Sequence, residues 1–261
     1  MDPEHAQVAR IGLSAIRDDG YALAGGQAYK EHGIGVRTPH DVDLFTDRQG
    51  DFGQTMDRLQ SAYRDEGYQV GLLEQSGEHA KLSVSKDGRS TEVDIGRDFR
   101  SRPPVETEVG PMLSVEDSVG SKVGAAYDRV EAKHFIDLEA AVQSGRYSRD
   151  DLLALGDERE LSGIDRDGFA YQLDQAARIP DAKYAEHGFS AEQTAALKED
   201  LGNWAQQIRT RASHPDIDTA MRVTEAGQAR AGSGPANQTQ GAAAHRGPSL
   251  GQERSKGERG S

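Results

Sequence analysis

Apolar residues recur at helical spacing near the start of the chain, at Val8, Ile11, Leu13 and Ile16, and predict a helix over residues 4–17. The run Tyr21-Ala22-Leu23-Ala24 then stops at Gly25-Gly26, the pattern of a short buried strand that ends abruptly. A short helix over residues 27–32 and a loop through Gly33-Ile34-Gly35 follow. Residues 42–45 read as a second strand, and Phe52, Met56, Leu59 and Tyr63 return to helical period across residues 52–66. Three strand-like segments come next, at 68–73, 80–85 and 91–95, with Lys86-Asp87-Gly88-Arg89 as a hairpin turn between the last two. After Pro103-Pro104 the pattern becomes helical from residue 115 past Trp204, punctuated at Ser144-Gly145, Ser162-Gly163 and His187-Gly188. There is no internal repeat.

This order predicts an α+β chain in three parts: an α/β core over residues 1–110, a helical domain over 111–222 and a tail over 223–261. The tail is Gly, Ala, Ser, Gln and Arg with almost no large apolar side chain, so it is expected to be disordered. Composition agrees with a modest core, since 35% of the 261 residues are hydrophobic and 29% are charged. The absence of cysteine removes disulfides, thiolate zinc sites and cysteine nucleophiles together. No apolar run approaches a membrane span and the first residues lack a signal-peptide pattern, so no membrane partner is expected and the cytoplasm is the expected location. A formal net charge of −13 excludes general coating of nucleic acid, which needs a basic face. A nucleic-acid substrate would have to be met by a local basic patch.

The candidate chemistry lies at the edges of the predicted sheet. Asp41 and Asp43 flank Val42 at the start of the second strand, and residues two apart on a strand share a face. Such a pair suits magnesium, which takes one or two carboxylates plus substrate phosphate oxygens. Asp94, between Val93 and Ile95 in the last strand of this half, has the parity to be a third ligand. Gly25 and Gly26 allow backbone amides to approach phosphate oxygens at a helix start. Each signal alone is commonplace: an Asp-x-Asp is the ordinary make-up of a solvated turn, and a Gly-Gly is an ordinary turn. Their order and spacing together point to metal-dependent nucleotide chemistry.

The run Leu23-Ala24-Gly25-Gly26, then Arg37-Thr38, then Asp41-Val42-Asp43-Leu44-Phe45 resembles the first motif of the polymerase-β-like nucleotidyltransferase superfamily. It is most similar to the AbiEii/AbiGii toxins, including the MenT-type mycobacterial toxins. The block from Lys122 through Ala125, Arg129, Lys133 and His134 to Asp137-Leu138 is similar to that family's later helical motif. The resemblance covers about residues 21–142 and implies a polymerase-β-like core of mixed sheet and helices, followed by a helical domain. It also implies residue roles. Gly25 and Gly26 would hold the triphosphate of an NTP. Asp41, Asp43 and Asp94 would bind magnesium, with Asp94 activating the acceptor hydroxyl. Lys122 would contact the triphosphate and Asp137 would support the site by orienting Lys122 or the nucleotide. Arg37 would be a phosphate or loop-ordering contact. The implied reaction moves a nucleoside monophosphate to an acceptor, expected to be the 3′ end of tRNA, as the toxin of a toxin-antitoxin pair with a cognate antitoxin.

Two positions depart from the family pattern: Gly26 stands where Ser is frequent, and His134 where Asp is usual. His134 is assigned no catalysis. Read alone, the second block is an amphipathic helix pair with Val119, Val123 and Ala126 inward and Lys122, Arg129 and Lys133 solvated. Beside the first motif, those three with Arg97, Arg100 and Arg102 become a candidate basic patch. Two alternatives remain open from sequence: an antibiotic nucleotidyltransferase of the aminoglycoside or lincosamide kind, and a catalytically inactive nucleotidyltransferase fold that only binds.

Overall fold

The computed structural model describes residues 1–159 and 162–213, so the tail expected from residue 223 lies outside the described residues. Helix α1 (Pro3–Ala15) begins where Asp2 accepts the Glu4 N–H and Pro3 presets the first turn. It is followed by β1 (Ala22–Leu23), α2 (Gly25–Glu31), β2 (Asp41–Thr46) and α3 (Phe52–Asp65), the last capped by Asp51 through the Gln54 N–H. Strands β3 (Gln69–Ser76), β4 (His79–Lys86) and β5 (Arg89–Arg97) form a meander, and β6 (Val105–Thr107) and β7 (Gly110–Met112) a small hairpin. Helices α4 (Val115–Asp128), α5 (Ala132–Gln143), α6 (Arg149–Asp157), α7 (Arg166–Ala176), α8 (Asp181–Ala185) and α9 (Ala191–Ser213) complete the described chain.

The seven strands form one mixed sheet in the order β3-β4-β5-β2-β1-β7-β6. Strands β2 and β5 pair in parallel and β1 pairs β7 in parallel, while the remaining pairs are antiparallel. The β4–β5 turn has two central residues, Asp87 at φ 53 and Gly88 at φ 78, the left-handed pair that a tight hairpin requires. Residues 105–112 carried no strand signal, because each strand there has three residues and Pro111 interrupts the second.

One core lies under the sheet. Val42 and Leu44 of β2, Leu82 of β4, and Val93 and Ile95 of β5 are fully buried against Leu13 of α1 and Leu59 and Tyr63 of α3. Because strand side chains alternate, the intervening residues of β2, β4 and β5 point to the opposite face, where the candidate carboxylates stand. A second core joins α4 through α9, with Phe135, Phe169 and Trp204 buried and the last two in edge contact at 5.3 Å. Tyr29 of α2 is buried in that helical core, so the short helix after the glycine pair is held by the second half of the chain. Among the described residues no helix is long and apolar enough to cross a membrane.

Gly12 marks where α1 meets α3: an added Cβ would lie 2.6 Å from the Tyr63 hydroxyl and 2.9 Å from a Leu44 methyl carbon. That hydroxyl is buried and donates to the Val8 carbonyl at 3.1 Å. Alanine gains about 1 kcal/mol of helix propensity over glycine, but overpacking at such a contact costs roughly 1–3 kcal/mol. Gly12→Ala is therefore expected to lower the free energy of urea unfolding, by up to about 2 kcal/mol.

Candidate active site

The parallel pairing of β2 with β5 sets Asp43 directly beside Asp94 and Asp41 beside Glu92. One carboxylate oxygen from each of Asp41, Asp43 and Asp94 lies within 4.8 Å of the others. Among the described residues, no side chain hydrogen-bonds or ion-pairs with the Asp41 or Asp43 carboxylate; Asp94 is approached by His79 and Lys81 of β4. Burial, then the charge of Asp41, pushes the Asp43 carboxyl up to about 7, with Lys122 opposing. Burial also raises Asp94, against the pull of Lys81 and His79.

Helix α2 begins at Gly25, two residues earlier than the sequence pattern indicated, and it has no side-chain cap. Its first-turn N–H groups therefore have no acceptor within the helix. Gly25 takes a left-handed φ of 59°, and a Cβ there would stand 1.7 Å from Asp43 Oδ2, so only glycine lets this turn lie against the carboxylate. At Gly26 an added Cβ would be 3.0 Å from both an Arg37 guanidinium nitrogen and Pro39 Cβ, so a serine there would need its neighbours to yield slightly. Gln27, buried, donates to the Asp41 carbonyl at 3.1 Å and fixes the start of β2.

Behind this turn sits a buried ionic network. Arg37 donates from Nε and Nη2 to the two oxygens of Asp137, both at 2.9 Å, and Lys122 Nζ lies 2.9 Å from Asp137 Oδ2. Tyr29 donates its hydroxyl to the Asp137 carbonyl at 2.7 Å, and its ring lies 5.6 Å from Lys122 Nζ. Lys122 thus sits buried and paired, where the bare helix pattern put it in solvent; Val119, Val123 and Ala126 are buried as that pattern required. Burial alone would raise the Asp137 carboxyl, but Lys122 and Arg37 hold it below the usual carboxylate range.

The remaining cations of the candidate patch are spread apart. Arg97 pairs with Glu78, Arg100 with Asp47 and Arg102 with Glu158, so none of these is a free cation. Lys133 pairs with Glu131 at 3.0 Å, whereas Arg129 is exposed. His134 is buried, and neither ring nitrogen has a hydrogen-bond partner among the described residues. Burial and then the nearby Lys122 and Lys133 push its pKa down to about 3, so it is neutral.

Sequence reasoning missed Tyr29 and Gln27, whose roles depend on tertiary contacts. It also missed His79 and Lys81, although a signal was present. Counting back from the two-residue turn at Asp87-Gly88 places Lys81 opposite Asp94 and His79 opposite Gly96.

A mixed sheet that brings three carboxylates together beside a glycine turn, backed by a buried lysine, has the architecture of a nucleotidyltransferase. The chain belongs to the AbiEii family: the family described as "Nucleotidyl transferase AbiEii toxin, Type IV TA system" matches residues 13–223. The protein is accordingly a nucleotidyltransferase of a toxin family. Similar solved structures include JHP933 from Helicobacter pylori, at 18% identity and TM-score 0.48, covering 86% of this chain and 97% of that one. Another is MenT4, a nucleotidyltransferase toxin from Mycobacterium tuberculosis, at 14% identity and TM-score 0.49, covering 84% and 92%. No curated protein matches the sequence.

Two outcomes follow from the buried charges. Asp137→Asn leaves Lys122 and Arg37 without a counter-charge, and breaking a buried pair costs about 3–5 kcal/mol. Chemical denaturation should show a loss of that order, with a smaller loss for Arg37→Met, which leaves the Lys122–Asp137 pair intact. The second concerns pH. His134 has a depressed folded pKa, so the unfolded chain binds the extra proton between about pH 6.5 and 3. Its neutral burial costs nothing above the unfolded pKa and progressively destabilises the fold as pH falls below it. His134→Leu should remove roughly 2 kcal/mol of the stability lost between pH 6.5 and 4.5, read as the difference between the two proteins' stability profiles.

Proposed function

We propose that this nucleotidyltransferase transfers a nucleoside monophosphate from an NTP to the 3′ end of tRNA, with Asp41, Asp43 and Asp94 holding magnesium. The observation that carries the reading is the convergence of these three carboxylates on the face of the sheet away from its core, the Asp41 and Asp43 groups without side-chain partners among the described residues. Holding Asp43 buried and beside the Asp41 charge raises its pKa, and hard oxygen donors in this number fit a divalent cation that takes its other ligands from substrate. When bound, the ion supplies charge neutralisation of the triphosphate and polarisation at phosphorus.

The chain's own groups do the rest. The unpaired N–H groups at the start of α2 face the triphosphate, with Gly25 and Gly26 allowing close approach. Lys122 keeps one donor on Asp137 and turns the remaining two toward phosphate oxygens. Arg37, locked on Asp137, orders the loop that leads into β2 instead of binding phosphate. Asp94, with its raised pKa, accepts the proton of the acceptor hydroxyl. The acceptor oxygen then bonds to the α-phosphorus as the bond to the β-phosphate breaks, and pyrophosphate leaves. The cognate antitoxin as partner is supported by the family to which the chain belongs, described as the toxin of a toxin-antitoxin system; the choice of tRNA rests on the resemblance of the first motif to the MenT-type toxins, and the cytoplasm on the sequence expectation given above.

The test is a transfer assay with labelled NTPs and total RNA. Wild-type protein with magnesium should place label in tRNA-sized bands, and Asp43→Ala should lower the rate by on the order of 10²-fold or more while remaining folded. Label on an aminoglycoside and none on RNA would overturn the acceptor assignment. Full activity in Asp43→Ala, or in the presence of a chelator, would overturn the metal assignment.

A further inference from the structure

The carboxylate cluster has two flanks. On the β1 side stand the glycine turn of α2 and the Lys122–Asp137–Arg37 network. On the other side lies β4, where Lys81 faces Asp94 across the strand pair and His79 faces Gly96. We propose that His79 and Lys81 form the acceptor subsite, gripping a backbone phosphate of an RNA whose terminal hydroxyl is delivered to Asp94. This rests on the nucleotidyl-transfer reading above and adds the residues that hold the acceptor.

Four observations support it. Lys81 Nζ lies 3.5 Å from Asp94 Oδ2 and 3.4 Å from Glu92 Oε2, and His79 Nε2 lies 3.4 Å from Asp94 Oδ1. Tight charge-assisted bonds close to about 2.7–2.9 Å, so these donors are drawn to the carboxylates without being locked to them. They are also accessible, with the His79 side chain 45% exposed and that of Lys81 33% exposed. Space is set aside for the imidazole: a Cβ at residue 96 would meet His79 Cδ2 at 3.1 Å, so Gly96 lets the ring lie across β5 toward Asp94.

The surroundings fit an extended polar ligand. Beyond His79 and Lys81, the same face of β3, β4 and β5 presents Gly71, Ser83, Ser85 and Ser90, none of them fully buried, with Glu74 of β3 directly across from Lys81. Electrostatics then decides the chemistry of the ligand. Asp41, Asp43, Glu74, Glu92 and Asp94 together repel a polyanion, and phosphate contacts are what position a nucleic acid without reading its sequence. A donor pair beside the acceptor carboxylate offsets that repulsion where the last phosphate of an RNA strand must pass. A cationic small molecule would gain nothing from Lys81 at this place.

The experiment uses the full chain with magnesium, an NTP and RNA acceptor. Lys81→Ala and His79→Ala should each raise the KM for RNA about tenfold, across RNA sequences, with kcat at saturating RNA changed less than threefold. Lys81→Arg should restore the KM. The dependence of log KM on log salt should become shallower by about 0.7 for each phosphate that the variant no longer neutralises. If the pair served only to position Asp94, kcat would fall and the KM for RNA and its salt slope would stay; that result overturns the proposal. Should the wild type label no RNA, the nucleotidyl-transfer reading to RNA itself fails. Fluorescence anisotropy of a single-stranded RNA then decides the subsite separately: wild-type binding weakened tenfold in Lys81→Ala retains it, and equal binding by the two proteins ends it.

Discussion

The buried group formed by Arg37, Lys122 and Asp137 ties the two halves of the protein together at the site. Asp137 is anchored in the helical core through α5 and through Tyr29, which takes its backbone carbonyl. Arg37 comes from the loop before β2, and Lys122 from α4. Two buried cations share one buried carboxylate, leaving an excess positive charge inside the protein. Its field reaches outward to the other acids: Asp41 and Asp43 act on Arg37, and Lys122 lowers the Asp43 pKa that burial raises. Buried ion pairs are poor sources of net stability when compared with apolar packing, since desolvation cancels most of the attraction. What this one supplies is geometry, because planar guanidinium on carboxylate fixes Arg37 in two directions at once.

The same principle explains the glycine turn. Gly25 is pressed against Asp43 so closely that no side chain fits, and Gly26 is packed against Arg37 and Pro39. The turn is therefore wedged between the carboxylate cluster in front and the ionic network behind. Any shift of the Arg37 loop is felt at the start of α2 and, through Gln27, at the Asp41 backbone. The glycine turn, the carboxylate placement and helices α4 and α5 are mechanically one unit in this region, although they come from separate stretches of the chain.

How much of this could be read beforehand depended on how local each feature is. Alternation in β2 and β5 announced that Asp41, Asp43 and Asp94 share a face, and the hairpin turn set the register of β4 on β5. What strand alternation leaves open is which strands pair, and here β5 skips over the sequence to lie parallel to β2; the family resemblance matched Asp94 to the third carboxylate without naming that pairing. Lys122 illustrates the opposite case. Its helix is amphipathic with valines inward, and a lysine off that stripe belongs in solvent unless a buried acid waits for it. That acid, Asp137, lies on the next helix, and only packing brings the two to 2.9 Å. His134 is similar: helical position told nothing of its burial without a hydrogen-bond partner among the described residues. The short strands at residues 105–112 were invisible because three residues do not make a period.

The overall charge of −13 had set the hardest constraint on a nucleic-acid acceptor, and the folded chain shows why a total is the wrong quantity. Potential at a site is governed by groups within about a Debye length, roughly 8–10 Å at physiological salt, and more distant exposed charges are screened. Arg97, Arg100 and Arg102, which sequence alone would have recruited, are spent on Glu78, Asp47 and Glu158. The cations that count are fewer and closer. Lys122 lies on one flank of the carboxylates and Lys81 on the other, each already in the field of an acid that the substrate phosphates or a metal would relieve. An acidic protein can thus present an anionic substrate with a path lined by donors. The requirement is that those donors stand in register with the carboxylates, and the pairing of β4 with β5 meets it.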